Sequence, residues 1–182
     1  MQTPLENVGR KSNLSSIAIV AVLIAIGAAL RMFVPPAFGI TPNFVIAMYC
    51  LAILLTRPTL SGALVIGLVA GVVSMLTSKS AIPYLNLISE PTGALVAYLM
   101  IRVLPKVKVS EYFIKPILAT FLGTLASGSV YVFITKVLLV WKVAAALSAF
   151  AFVVLPMSVI NAVIAYVLYL PAQKILNTNN PN

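Results

Sequence analysis

The sequence predicts an all-α integral membrane protein, a single bundle of six transmembrane helices. Three observations carry that expectation. The 182 residues are 62% hydrophobic, with a mean hydropathy of +1.11, and only 8% are charged, against about 25% in soluble domains. The basic residues stand at the ends of apolar segments, which is where membrane anchors stand. Six apolar segments reach or approach the roughly 20 residues that a bilayer-crossing helix needs.

The first segment runs from about Leu14 to Val34 and stops at Pro35-Pro36, because proline removes a donor and restricts the residue before it. The second covers about Asn43 to Thr56, which is short, and ends at Arg57-Pro58, where the third begins and continues to about Thr77. A fourth starts near Pro91 and closes at Pro105. The fifth spans about Phe113 to Leu139, and the sixth about Ala144 to Leu176 with a kink near Pro156. A polar cytoplasmic tail (1–13) thus precedes one transmembrane domain (14–176) and a second cytoplasmic tail (177–182). No small-residue cleavage site follows the first apolar run, which reads as a retained span and not as a signal peptide. No internal repeat of the kind built into many secondary transporters is evident.

Orientation follows from the twelve basic residues. With the N-terminus inside, Arg10, Lys11, Arg57, Arg102, Lys106, Lys108, Lys115 and Lys174 face the cytoplasm, while Arg31, Lys79, Lys136 and Lys142 face outward. Eight against four places both termini in the cytoplasm of a multi-pass cell-membrane protein. The net charge of +9 is therefore anchoring, and no nucleic-acid partner is expected. The loops 35–42 and 78–90 face outward.

Catalytic chemistry finds little material. The chain has no histidine and one cysteine, Cys50, so it lacks a metal cluster, a histidine base and an intrachain disulfide. The glycines of "GTLASGSV" suggest a phosphate loop, but Ser129 stands where the lysine is required. No catalytic residue, metal or cofactor is expected, and any ATP that drives transport must be hydrolysed by another chain.

Small and polar residues inside the spans carry the remaining signal. Ala21, Ala25 and Ala29 recur at i, i+4 and i+8, a smooth stripe suited either to packing within the bundle or to a second protein. Gly67 and Gly71 repeat the pattern on the third segment, where internal packing is favoured. Asn161, five residues after Pro156, either satisfies a carbonyl that the proline frees or bonds a ligand in an opened cavity. Of the three acidic residues, Glu6 and Glu111 fall in polar segments, while Glu90 in "NLISEP" sits at an outer, partly apolar position. Ser89 or Glu90 would cap a helix starting at Pro91, or Glu90 binds a ligand.

Taken together, "AVLIAIGAALRMFVPPAFGITPN", "VIGLVAGVVSMLT", "IPYLNLISEP", "GTLASG" and "VVLPMSVIN", in that order, closely resemble the TrpP-type tryptophan transporter family. Members of that family are substrate-binding S components of energy-coupling factor (ECF) transporters. The resemblance covers residues 15 to 175 and implies a six-helix S-component bundle with an outward pocket closed by the loop after the first helix. It implies L-tryptophan as substrate, and a transmembrane T component with two cytoplasmic ATPases as partners. Ala21 and Ala25 match the stripe that docks on the T component, and Ala29 extends it. Asn86, Glu90, Pro91, Pro156 and Asn161 fall on recurring polar and proline positions, although a family member carries aspartate where this chain has Glu90.

For tryptophan, the expected site uses Glu90 for the ammonium, with Asn86 and Asn161 as amide partners. The carboxylate would lie against free backbone N–H groups at the start of the fourth helix or against Lys79, with Tyr84 and Phe38 stacking on the indole. Two alternatives remain: an S component for another small nutrient such as a vitamin, or a small ion-coupled carrier or channel working without ATPases.

Overall fold

The computed structural model describes residues 4–38, 40–105 and 113–178. Glu111, Lys106 and Lys108 lie outside the described residues, as do the side chains of the N-terminal tail, Glu6 included. Seven helical stretches follow one another: α1 (Pro4–Phe33), α2 (Val45–Thr56), α3 (Leu60–Thr77), α4 (Asn86–Val103), α5 (Lys115–Leu138), α6 (Val143–Ala149) and α7 (Leu155–Thr178). A π-helical turn, Phe150–Val154, joins α6 to α7 without a break, giving six helical rods. The β-type pairing among the described residues is one isolated bridge between Ala37 and Ile40.

Among the described residues, four helical runs are long and apolar enough to cross a membrane: Leu14–Phe33, Leu60–Thr77, Lys115–Leu138 and Val143–Lys174. The bundle buries a set of polar residues within its apolar core and exposes large apolar ones on its outside. Ser74, Asn86, Ser89, Glu90, Thr124, Ser127, Ser158 and Asn161 are buried, whereas Val22, Val65, Leu68, Phe133, Val159 and Val163 are exposed. A soluble domain would not expose so many large apolar side chains; a bilayer rewards them, because hydrocarbon solvates the valines and penalises every bare polar group. The protein is a multi-pass membrane bundle.

α2 is the axis of the fold. Its 12 residues rise only about 18 Å, yet every residue from Val45 to Leu54 is buried. Such a helix, apolar around its whole circumference, belongs in the centre of a bundle, and α1, α3, α4, α5 and α7 all pack on it. It ends where Arg57 turns left-handed at φ 45° and returns its N–H to the Ile53 carbonyl. Thr59 then caps α3, its hydroxyl accepting from Gly62 N–H at 3.2 Å.

One expectation is corrected here. α4 begins at Asn86, with Pro91 inside it and no side chain bonded at its N-terminus, so neither Ser89 nor Glu90 is its cap. The 3₁₀ turn Pro83–Leu85 starts the helix early, using Pro83 at the position where a missing N–H costs nothing. At Pro156, where a kink is expected, the helix changes from π to α geometry without ending. The π turn just before the proline makes room for a ring that would otherwise strike the carbonyl one turn back.

Candidate ligand site

Starting α4 at Asn86 puts Asn86, Ser89 and Glu90 at i, i+3 and i+4 on one buried face. Gly67 and Gly71 of α3 hold that face in place, in line with internal packing. A Cβ on Gly67 would stand 2.7 Å from the Pro91 Cα, and one on Gly71 2.7 Å from the Asn86 carbonyl oxygen. Only a bare backbone lets the two helices approach this closely.

Glu90 is 1% exposed. Its Oε1 accepts from Asn43 Nδ2 at 2.5 Å and its Oε2 from Ser127 Oγ at 3.0 Å. Asn43 is the hub of the network. Its Nδ2 also reaches Ser74 Oγ at 3.2 Å, its Oδ1 accepts the Val45 N–H at 3.0 Å, and its carbonyl accepts from Asn161 Nδ2 at 3.0 Å. Asn161 Nδ2 lies 3.3 Å from Thr124 Oγ1 as well, while its Oδ1 is buried without a partner. Asn161 therefore ties α7 to the start of α2 and to α5, and does not repair the backbone around Pro156.

Part of this network walls a cavity of about 40 Å³ lined by Arg31, Asn43, Asn86, Glu90, Thr124 and Ser127, with Ile40, Ile46, Tyr131, Val153, Val154 and Met157 as its apolar side. Water fits there, whereas pockets for drug-sized ligands run to roughly 300 Å³ or more. The loop after α1 contributes Ile40 to Asn43 to the wall. It is tied down by a Thr41 N–H bond to Ser80 Oγ at 2.7 Å, by a Lys79 N–H bond to Thr41 Oγ1 at 2.9 Å and by Phe38 stacked on Phe152 with centroids 5.6 Å apart.

Of the residues expected at the site, Glu90 and Asn86 line the cavity, and Asn161 stands behind them, bonded to the lining residues Asn43 and Thr124; Lys79, Tyr84 and Phe38 do not line it. Lys79 Nζ donates to the Met32 carbonyl at 2.8 Å, at the end of α1. Tyr84 is 58% exposed on the 3₁₀ turn, and Phe38 points to Phe152 instead of inward.

Arg31, assigned to the outer anchoring set, is instead 2% exposed and lines the cavity. It lies on one face of α1 with Ile24 and Gly27, and Gly27 lets α1 press against the start of α2, where a Cβ would come 2.7 Å from Val45 Cα. The opposite stripe of Ala21, Ala25 and Ala29 is exposed. Ala21 and Ala25, but not Ala29, open into a large apolar trench between α1 and α3.

A helical membrane bundle enclosing a cavity with a buried acid, a buried base and amide groups has the build of a solute transporter. Comparison with known proteins gives the family. Residues 13–177 match the family model described as tryptophan transporter TrpP. The chain is 32% identical over 169 residues to a probable tryptophan transport protein of Bacillus subtilis, covering 90% of this chain and 94% of that one. A probable tryptophan transport protein of Clostridium acetobutylicum is 30% identical over 169 residues, covering 90% and 95%. No solved structure matches. The chain belongs to the TrpP tryptophan transporter family.

Proposed function

We propose that this protein captures L-tryptophan at the outer face of the cell membrane as the S component of an ECF-type ABC importer. A T component and two cytoplasmic ATPases complete the importer. The observation that carries the substrate side is Glu90, a buried carboxylate on a cavity wall whose bonded partners, Asn43 and Ser127, are neutral. A carboxylate so placed lacks a counter-cation in direct contact, and an amino acid's ammonium supplies one. Tryptophan itself comes from the family and the named relatives.

A cavity of about 40 Å³ admits an indole only after its wall moves. Residues Ile40 to Asn43 of the loop after α1 form part of that wall outside any helix, and releasing the Thr41–Ser80 and Phe38–Phe152 contacts opens it. Ala21 and Ala25 in the trench are the docking surface for the T component, with Ala29 as the end of the same stripe. Burial of Arg31 and Lys115 takes one basic residue from each side and leaves seven against three, so the bias toward cytoplasmic termini persists. A cysteine at Tyr84 in a Cys50→Ser background should then label from outside intact cells.

Two measurements test the function. The purified chain should bind L-tryptophan, and a tagged chain should bring a T component and ATPases out of native membranes. A buried carboxylate in a span also suits an ion-coupled carrier. That reading gains the ground if tryptophan uptake proceeds in vesicles without ATP and no ATPase co-purifies.

A further inference from the structure

We propose that Arg31 holds the substrate's carboxylate, so that the cavity recognises a free α-amino acid by its two opposite charges, with Glu90 on the ammonium. This rests on the tryptophan-capture reading above and assigns the half of the substrate which that reading leaves without a partner.

A guanidinium has five N–H donors in a planar fork and ordinarily spends them on acceptors that match it. Arg31 does not. Its Nη1 and Nη2 both donate to a single atom, Asn86 Oδ1, at 3.5 and 3.4 Å, and its buried Nε has no partner. These are long bonds for a charged donor, whose usual distance to a carboxylate is about 2.7–2.9 Å. Burying a cation with its donors so poorly met is costly unless an anion completes it. Arg31 lines the same small cavity as Glu90, and the charges of an α-amino acid are separated by a single carbon. One zwitterion entering the cavity therefore supplies a carboxylate to the fork and an ammonium to Glu90 without adding net charge.

Lys79 and the N–H groups just ahead of α4 are already engaged. Lys79 Nζ is bonded to the Met32 carbonyl, and the Leu85 N–H ahead of α4 is spent on Ile82. Asn86 marks the place an incoming carboxylate takes. Its Nδ2 is bonded to the Pro83 carbonyl, which fixes the amide, so its Oδ1 is the weak acceptor that a carboxylate displaces from the fork.

Calorimetric titration of the purified full-length chain with L-tryptophan, tryptamine and indole propionate tests the assignment. Tryptamine keeps the ammonium and indole but lacks the carboxylate; indole propionate lacks the ammonium. The wild type should bind each at least roughly thirtyfold more weakly than tryptophan, the least expected for a buried charge that loses its partner. Arg31→Gln should lose at least that factor for tryptophan while its tryptamine affinity stays within about threefold, so that discrimination between the two collapses. Arg31→Lys, which keeps the charge without the fork, should fall between. A merely structural arginine weakens both ligands equally, and that result overturns the assignment, as does a wild type that binds tryptamine as tightly as tryptophan. Should Arg31→Gln not fold, Arg31→Lys and the wild-type ligand series still decide. A wild type that binds no tryptophan overturns the substrate reading and the assignment together. Tryptophan binding retained by Arg31→Gln overturns the assignment alone.

Discussion

Two concavities among the described residues differ in character. One, of about 40 Å³, is lined by Arg31, Asn43, Asn86 and Glu90; the other, of about 950 Å³, is lined mainly by Ile17, Val20, Ala21, Ala25, Val65 and Val69. Size points to the second and chemistry to the first. In a membrane the second is unremarkable, since lipid chains fill an apolar trench at no cost, whereas each buried charge of the first must be offset by a specific partner. Polar groups placed where hydrocarbon penalises them identify a site better than volume does. α1 serves both features, sending Arg31 to the cavity and Ala21 and Ala25 to the trench.

The largest effect expected is from Glu90→Gln. The amide keeps the size of the side chain and can still accept from Asn43 or Ser127, so the bundle should fold. An ammonium that loses its buried counter-charge costs about 2–5 kcal/mol, roughly thirty- to several-thousandfold in tryptophan affinity. Assembly through the trench should be unaffected, because Glu90 does not reach it. Wild-type tryptophan binding by Glu90→Gln would reduce the acid to a packing element and dissolve the distinction between the two concavities.

Ala25→Leu probes the other side. Ala25 is exposed, so the added bulk enters the trench and not the core, and stability should change by no more than about 0.5 kcal/mol. Tryptophan binding by the isolated chain should stay within about twofold. Co-purification of the T component and ATP-driven uptake should both be lost, because the larger side chain holds a partner helix away. Normal co-purification would leave the trench a surface for lipid alone.

The sequence made some of this legible, and its omissions have physical causes. Glu90, Asn86 and Asn161 could be singled out because a polar residue within an apolar run needs a reason to be there. Arg31 could not, since an arginine just before Pro35-Pro36 looks the same whether it snorkels to the interface or turns inward. The difference lies in Gly27, which brings α1 close enough to α2 to enclose it. Asn43 reads as the first residue of the second apolar segment until the fold places it ahead of α2, with three other elements meeting on its side chain and carbonyl. Ser127 is one of several small polar residues in α5, and nothing along the chain distinguishes it from Ser129, which bonds its own helix at the Leu125 carbonyl. Loop proximity is what points to Lys79, Tyr84 and Phe38, and it does not reveal that a lysine caps a helix or that a phenylalanine stacks on a π turn. The start of α4 was misplaced because Pro91 looks like a first-turn proline, while Pro83 holds that role for the 3₁₀ turn ahead of it.

The smallest effect should come from Lys79→Met, and it bears most directly on where the cavity ends. Lys79 carries an outer positive charge and sits on the loop whose Ser80 binds Thr41 of the cavity wall, so proximity alone would make it a carboxylate anchor. Its Nζ instead donates to the Met32 carbonyl at 2.8 Å, one of the last four carbonyls of α1, which have no partner within the helix. A cation there gains typically 0.3–1 kcal/mol from the helix dipole and the bond. Methionine keeps the aliphatic stem and removes the charge, while the Lys79 N–H bond to Thr41 Oγ1 involves only backbone on that side and survives. A thermal or chemical melt should therefore register a loss of about 1 kcal/mol or less, and tryptophan affinity should remain within about threefold. A thirtyfold loss of affinity with stability unchanged would put the carboxylate on Lys79, extend the site to the outer loop and release Arg31 from the role assigned to it.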